Sequence, residues 1–166
     1  MSDEKKKSVK AIVTPTRLEF DITPGTASTR FLLGVQAGRL LGQRCPECGK
    51  VYVPARGSCP RCGVLTQEEV EVGDKGTVTT FCVVRVPSEN IKLKLPYTAA
   101  HILLDGADIP FFAILQECEA EDVRMGMRVE AVWAPREERG PTVANIRYFR
   151  PIDEPDVPFE EFEEHL

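Results

Sequence analysis

Four cysteines, arranged as two short pairs, constrain the fold of this chain more than any other feature of its sequence. Each pair has two residues between its cysteines and a glycine directly after them: Cys45, Cys48 and Gly49, then Cys59, Cys62 and Gly63. This spacing allows a tight turn whose backbone N–H groups point at sulfur, and glycine readily adopts the left-handed conformation that the turn needs. Ten residues separate the pairs, enough for a strand out and back. The pattern predicts a small ribbon in which the four cysteines bind one metal ion.

Zinc is the metal that this ligand set favours, because four thiolates form the closed tetrahedral shell of structural zinc sites. A closed shell leaves no position for water or substrate, so the predicted role is structural. Iron is one alternative, since rubredoxins hold iron in similar knuckles, although they separate the knuckles much further along the chain. An iron site would make the chain an electron carrier. Two unrelated surface pairs of cysteines are the other alternative.

The composition is that of a globular protein with one main core. The chain has 166 residues, of which 42% are apolar and 28% are charged. No apolar run approaches the roughly 20 residues of a membrane span. The first ten residues, MSDEKKKSVK, do not resemble a secretion signal, so we expect a cytoplasmic location. In that reducing compartment, six cysteines favour metal binding over disulfides.

The negative charge of the chain is concentrated at its C-terminal end. Seven acids and no Lys or Arg follow Arg150: Asp153, Glu154, Asp156, Glu160, Glu161, Glu163 and Glu164. Without these seven acids, the net charge of −5 becomes +2 for residues 1–150. Nucleic-acid binding relies on dense positive charge against phosphates, and this nearly neutral body has only scattered basic residues. Nucleic acid is therefore an unfavoured partner.

Short segments rich in Val, Ile, Thr and Phe dominate the sequence after the second cysteine pair and predict a mainly β fold. Turn residues separate six candidate strands: 68–72, 76–86, 97–104, 109–117, 127–133 and 142–149. Five or six strands in so short a stretch, with no long amphipathic helix between them, favour a small antiparallel barrel. Before the cysteines, Phe31, Leu32 and Val35 recur at helical spacing and predict a helix over 28–37.

These patterns divide the chain into four segments. They are an N-terminal arm over 1–27, the helix and four-cysteine ribbon over 28–64, the barrel over 65–150 and the acidic tail over 151–166. The arm contains Pro15, Pro24 and Gly25 and has little apolar periodicity, so we expect it to be extended or to depend on a partner.

Residues that carry catalysis are scarce outside the predicted metal site. His101 lies inside an apolar strand, where we expect a core or lining position, and His165 lies near the end of the acidic tail, where we expect solvation. Cys82 and Cys118 have no histidine or basic cluster nearby in sequence, so we expect buried, unreactive thiols. The sequence therefore offers no catalytic residue and predicts no activity for the chain alone.

Several short motifs, taken in order, resemble one known family over about residues 29–151. They are FLLGVQAGRLL from Phe31, the ribbon RCPECG and CPRCG, Gly76-Thr-Val, Pro96-Tyr97, Leu103-Leu-Asp-Gly, Met125-Gly-Met-Arg-Val129 and Phe149-Arg-Pro151. This order resembles the zinc-ribbon/OB-fold family long catalogued as a domain of unknown function and called acyl-CoA-associated. The resemblance implies an N-terminal helical segment, a rubredoxin-like zinc ribbon and then a five-stranded OB-fold barrel.

Members of this family are commonly small companions of thiolases and thiolase-like aldolases, including aldolases that shorten steroid side chains and an aromatic succinyl-CoA thiolase. There the large subunit supplies catalysis. The resemblance implies that this chain is a non-catalytic subunit of such a hetero-oligomer, supporting assembly and helping to shape the acyl-CoA site. The implied setting is steroid or aromatic side-chain degradation, and the implied cofactors are Zn²⁺ and a CoA thioester shared with the partner.

Two sets of side chains are candidates for contact with these molecules. Phosphates of CoA need cations, and the candidates lie in the ribbon, the first barrel strand and the loop after it: Arg56, Arg85, Lys92 and Lys94. Solvated surface charge is the alternative for each of them. Three apolar residues among the acids of the tail are candidates for binding the partner subunit: Phe159, Phe162 and Leu166. A solvated, disordered end is the alternative for the tail.

A nucleic-acid-binding module is the alternative function, since zinc ribbons and OB barrels bind DNA or RNA in other proteins. Such surfaces interleave aromatic platforms with Lys and Arg. The strands here contain VVRV at 83–86 and HILL at 101–104, which lack that pattern. The acidic tail would also repel phosphate.

Overall fold

The computed structural model describes residues 11–14, 18–88, 91 and 93–166. Within these ranges the chain forms one α-helix and eight β-strands, and no helix there has the length and hydropathy to cross a membrane. The elements in chain order are α1 (Thr26–Gln36), β1 (Leu40–Arg44), β2 (Val51–Tyr52), β3 (Glu68–Val72), β4 (Lys75–Val84), β5 (Tyr97–Leu104), β6 (Phe111–Leu115), β7 (Arg128–Trp133) and β8 (Ile146–Pro151). The predicted mainly β fold is confirmed.

The helix α1 ends in a turn that depends on a glycine. Gly38 has a φ of +80°, a left-handed conformation that costs glycine little. Its N–H donates to the carbonyl of Val35 at 3.1 Å, and the N–H of Arg39 donates to the carbonyl of Gly34 at 2.9 Å. These two bonds satisfy carbonyls that the end of a helix leaves unpaired. Val35 and Phe31 face the core, with 0% and 2% of their surfaces exposed.

The ribbon contains a three-stranded sheet in the order β2-β1-β3. β3 pairs antiparallel with β1 over five residues, from Leu40 opposite Val72 to Arg44 opposite Glu68. The predicted barrel range of 65–150 includes β3, because this strand follows the cysteines and resembles the strands after it, whereas the structure places it in the ribbon sheet. Pairing is decided by contacts at long sequence separation, and here the side chain of Arg44 also forms an ion pair with Glu68 at 3.4 Å.

The other five strands form a closed barrel in the order β4-β5-β6-β8-β7. Neighbouring strands are antiparallel except for β6 and β8, which run parallel where Leu115 faces Phe149. A barrel of five strands in this order matches the OB fold that the motifs implied. Four fully enclosed side chains fill its centre: Val78, Ile102, Val129 and Phe149, each 0% exposed.

One continuous core joins the helix, the ribbon and the barrel. It includes Phe31 and Val35 of α1, Val53 of the ribbon and Val78 of the barrel. Asp108, in the connection between β5 and β6, adds a polar link to the ribbon. Its carboxylate accepts the N–H of Val51 at 2.8 Å, while its own N–H donates to the carbonyl of Val51 at 2.9 Å. The ribbon is therefore fixed against the barrel by both apolar packing and backbone pairing.

The acidic tail is anchored to the barrel through Arg128, whose side chain is only 11% exposed. This guanidinium donates two hydrogen bonds of 2.7 Å to Asp105 and one of 3.0 Å to Glu154 in the tail. Lys75 donates to the same tail carboxylate at 2.5 Å. Hydrogen bonds from Lys75 and then Arg128 lower the pKa of Glu154. The stability that these hydrogen bonds add to the folded chain is fully present above the ordinary pKa of Glu. It is lost as the pH falls through the lowered pKa of Glu154.

The end of the tail also packs on the chain itself. Phe162 is 2% exposed, and its ring meets that of Phe159 edge-on at 5.5 Å between centroids. The expectation that His165 is solvated is wrong, since its Nδ1 lies 2.9 Å from the carbonyl oxygen of Asp108. Sequence could not indicate this, because Asp108 lies 57 residues away in the chain. Two of the tail acids, Glu154 and Asp156, also pair with distant basic residues.

Replacing Phe162 by Ala tests whether the tail belongs to the folded body. We expect Phe162→Ala to lower the free energy of unfolding by about 3–5 kcal/mol, because it empties an enclosed site. The matched variant Phe159→Ala removes a ring that is 46% exposed and should cost about 1.5 kcal/mol or less. Urea denaturation at equal metal content measures both. Equal, small losses would contradict the packed tail.

Candidate metal centre

Each cysteine pair closes the same backbone turn. The N–H of Gly49 donates to the carbonyl of Cys45 at 3.0 Å, and the N–H of Gly63 donates to the carbonyl of Cys59 at 2.9 Å. Both glycines are left-handed, with φ of +74° and +71°. This is the turn that the Cys-x2-Cys-Gly spacing predicted, and it occurs twice with matching geometry.

The two turns bring four sulfur atoms together. The Sγ atoms of Cys45, Cys48, Cys59 and Cys62 all lie within 4.8 Å of one another. The Cys48 and Cys59 sulfurs are 3.8 Å apart, and a tetrahedron with metal–sulfur bonds of about 2.3 Å has edges of about 3.8 Å. Backbone N–H groups also point at sulfur, from Cys48 to Cys45 at 3.5 Å and from Cys62 to Cys59 at 3.4 Å. The residues fit a four-coordinate metal ion.

A tyrosine supports this cluster from the strand between the two knuckles. The hydroxyl of Tyr52 lies 3.1 Å from the sulfur of Cys59, and the ring is 2% exposed. When Cys59 is a thiolate, the hydroxyl of Tyr52 donates the hydrogen bond to its sulfur. This hydrogen bond lowers the pKa of Cys59 to about 6 and raises the pKa of Tyr52, whereas burial raises the pKa of Cys62. Tyr52 therefore stabilises negative charge on one of the four sulfurs.

Two arginines place positive charge beside the cluster. The guanidinium of Arg56 lies 5.7 Å from the centre of the Tyr52 ring. Arg44 donates to the carbonyl of Gly49 in the first knuckle at 3.1 Å. Four thiolates around a divalent ion have a formal charge of −2, and nearby cations offset it.

The basic residues proposed for CoA occupy different surroundings. Arg85 follows β4 and forms an exposed ion pair with Glu121 at 3.5 Å. Lys92 lies outside the described residues. Lys94 lines an open pocket of about 330 Å³ together with Glu117 and Glu119. The negative charge of those carboxylates would repel an anionic ligand beside Lys94.

The structure corrects two expectations about the remaining reactive groups. Cys82 is exposed and not buried, whereas Cys118 is half-buried and burial raises its pKa. His101 lies on the exposed outer face of β5, where its Nδ1 is 3.2 Å from the hydroxyl of Thr80 and its ring contacts Phe112. Period-two alternation alone did not reveal which face of each strand is outside. These contacts include no acid or cysteine that would activate His101 for catalysis.

The candidates for partner binding in the tail are divided by the fold. Phe162 is enclosed within this chain, so its ring is not available to another protein here, while Phe159 and Leu166 remain 46% and 60% exposed.

Two residues of the site, Tyr52 and Asp108, were not predicted from the sequence. A tyrosine between two knuckles was a usable signal, because a buried hydroxyl needs a partner. The link from Asp108 to Val51 spans 57 residues and had no local signal.

Two family models match the body of the chain. Residues 34–66 match the model described as the ChsH2 rubredoxin-like zinc ribbon domain, and residues 69–134 match the ChsH2 C-terminal OB-fold domain. The chain is 41% identical over 118 residues to a DUF35 domain-containing scaffold protein of Methanocaldococcus jannaschii, covering 69% of this chain and 82% of that protein. A protein of the same description from Pyrococcus furiosus is 36% identical over 94 residues, covering 57% and 68%.

Two solved structures share the fold. One is a DUF35 family protein of unknown function from Sulfolobus solfataricus, with a TM-score of 0.58 and 22% identity, covering 76% of this chain and 84% of that chain. The other belongs to a structure described as the Ltp2-ChsH2(DUF35) aldolase, with a TM-score of 0.58 and 22% identity, covering 79% and 98%. At this identity, both likenesses establish the fold alone.

Metal analysis of variants tests the ligand set. We expect one zinc ion per chain, lost in Cys48→Ser because a hydroxyl replaces one of four thiolates. Cys82→Ser removes an exposed cysteine outside the cluster and should keep the metal. Elemental analysis of the purified proteins measures both. Equimolar iron in the wild-type chain would contradict zinc, and metal loss in Cys82→Ser would contradict the ligand set.

The role of Tyr52 is tested by the rate at which the metal leaves. Tyr52→Phe should retain one ion per chain but release it to a chelator at neutral pH roughly tenfold faster, because a charge-assisted hydrogen bond to thiolate is lost. Tyr148→Phe is the matched control, since that hydroxyl donates to Glu117 on the barrel. Chelator absorbance over time gives both rates. Equal rates in the two variants would mean that Tyr52 only fills space.

Proposed function

This chain belongs to the DUF35 family of zinc-ribbon/OB-fold scaffold proteins, and from that membership we propose that it is a non-catalytic companion subunit of a thiolase or thiolase-like aldolase. The proposed substrates are acyl-CoA thioesters, with steroid or aromatic side-chain degradation as the setting. The proposed metal is structural zinc. Catalysis belongs to the partner subunit in this proposal.

The observation that carries the proposal is a closed set of four cysteines in a chain whose helix, ribbon and barrel share one core. The four cysteine sulfurs are placed to complete the shell of one ion, which would then offer no position for substrate or water. Among the described residues, Cys82 and His101 line one patch on the outer barrel face, but the hydrogen bond of the His101 ring is to Thr80 and its ring contact is with Phe112. Such a chain is suited to supporting another protein's active site. Relatives described as scaffold proteins, and a similar chain in an aldolase structure, support this role.

Binding of CoA phosphates is the finer part of the proposal. Arg85 is its strongest candidate, because the ion pair with Glu121 joins side chains that are 65% and 68% exposed. Exposed pairs at this distance contribute little and exchange easily for a phosphate. Arg56 is the second candidate, at the edge of the ribbon over Tyr52. Lys94 is weaker because of the two glutamates that share its pocket, and Lys92 completes the proposed set.

The nucleic-acid alternative gains little from the exposed aromatic patch on the barrel. Phe81 and Phe112 are 36% and 63% exposed there, and base stacking needs such platforms. The side chains that line the patch are otherwise Thr80, Cys82, Ala99, Ala100 and His101, without Lys or Arg. Phosphates of a bound strand would therefore lack partners beside the platform.

Co-expression with a thiolase-like protein, sought first among the genes beside this one, tests the proposal. We expect the two proteins to elute as one complex, and the partner to be soluble or active only when this chain is present. The Cys48→Ser chain is the control, since loss of the metal should abolish support. Gel filtration and assays of acyl-CoA thiolysis or aldol cleavage measure this. A partner that is fully active alone and never associates would contradict the companion role.

The same complex tests the contact with CoA. Arg85→Gln should raise the KM for the acyl-CoA roughly five- to tenfold with kcat nearly unchanged, because one phosphate loses a cation. Arg147→Gln is the matched control on β8, where the arginine pairs with Glu138. An unchanged KM would remove Arg85 from the site. Salt-dependent binding of single-stranded oligonucleotides by the chain alone would instead favour the nucleic-acid module.

A further inference from the structure

A short amphipathic segment of the arm exposes its apolar side chains among the described residues. Residues 18–22, here the LEFDI segment, alternate strictly between apolar and acidic side chains. The apolar members Leu18, Phe20 and Ile22 are 77%, 66% and 74% exposed. The segment belongs to no helix or strand, although this alternation is the pattern of a half-buried β-strand. It also precedes residues 34–66 and 69–134, which the family models match.

The ribbon sheet of this chain does not suit the segment. One edge strand, β3, carries exposed Glu68, Glu69 and Glu71, which have the same charge as Glu19 and Asp21. Each of these glutamates already forms an ion pair with an arginine of this chain, so the arginines beside β3 are not left over for the acids of the segment. Side chains of like charge opposite one another destabilise a sheet. The other edge strand, β2, has only two residues, and Asp108 already pairs with both the N–H and the carbonyl of Val51.

Pairing between the arms of two copies is also disfavoured. An antiparallel pair of LEFDI segments centred on Phe20 would set Glu19 of each arm opposite Asp21 of the other. Two such acid pairs would face each other on one side of a two-stranded ribbon. Isolated two-stranded ribbons are marginal in water even without repulsion. The barrel is closed, so each of its strands already has a neighbouring strand on both sides.

We propose that the LEFDI segment adds as a strand to a sheet edge of the thiolase-like partner subunit, at an edge that carries Lys or Arg. The backbone of an added strand supplies hydrogen bonds, and its alternate side chains fill pockets. Leu18, Phe20 and Ile22 face the apolar side of the partner, while Glu19 and Asp21 pair with its basic side chains. This inference rests on the proposed function for the identity of the partner.

Arm variants in the reconstituted complex test the inference. The triple variant Leu18→Ser, Phe20→Ser and Ile22→Ser should raise the Kd for the partner roughly tenfold to a hundredfold, because three apolar side chains are no longer buried. The variant Glu19→Gln with Asp21→Asn should bind a few-fold more weakly and lose most of its salt dependence. All five positions lie outside the packed core, so thermal unfolding and metal content should match the wild-type chain.

Hydrogen exchange identifies the mode of binding. In the complex, amides of alternate residues across 18–22 should be protected, because an edge strand directs every second N–H at its neighbour. In the isolated chain the same amides should exchange freely and the chain should be a monomer. Continuous protection in the complex would overturn the added strand. If the isolated wild-type chain is a dimer and the triple variant is a monomer, the segment binds a second copy of this chain. That result would overturn the choice of the thiolase-like subunit as its partner.

The two proposals fail in different ways. If the wild-type chain associates with the thiolase-like subunit and the triple variant binds equally tightly, only the role of the LEFDI segment falls. If the wild-type chain does not associate with that subunit, both the companion role and the partner assigned to the segment are contradicted.

Discussion

The fold of the ribbon depends on four sulfur atoms that lie close enough together to bind one metal ion. Its sheet includes a strand of two residues, and its own buried cluster consists of Cys45, Tyr52 and Cys59 with few apolar neighbours. So small a unit cannot bury enough apolar surface to fold by itself. In zinc-finger peptides a four-coordinate ion contributes on the order of 10 kcal/mol, which becomes folding free energy. The hydroxyl of Tyr52 and the knuckle N–H groups help to hold the negative charge that this arrangement concentrates.

The ribbon then becomes one body with the barrel through contacts on two sides. Apolar side chains of α1 and β2 enter the barrel's core cluster, and Asp108 pairs with Val51 across the junction. On another part of the barrel, Arg128 joins Asp105 to Glu154 of the tail. A body packed around one core is suited to presenting surfaces to a larger enzyme, since a preorganised surface loses less conformational entropy when it binds.

Sequence predicted most of the fold because its signals were local. The cysteine knuckles, the helix before them and the short strands each follow from spacing or alternation within a few residues. The errors concern contacts between distant residues. β3 pairs with β1, Cys82 and His101 are exposed on the barrel, and the tail carrying Phe162 packs inward. Neither alternation nor acidic composition specifies a distant partner, because both patterns describe one segment at a time.

The sequence by itself determined the metal ligands, the β-rich body and the family, since each depends on residue type and short spacing. Only the tertiary structure decided which strand pairs with which, which faces are outside and where the tail lies. Strand order and tail packing depend on shape, on burial and on ion pairs such as Arg128 with Glu154, 26 residues apart. Tyr52 illustrates both contributions. The sequence determines its position between the knuckles, but its hydrogen bond to Cys59 forms only in the folded chain.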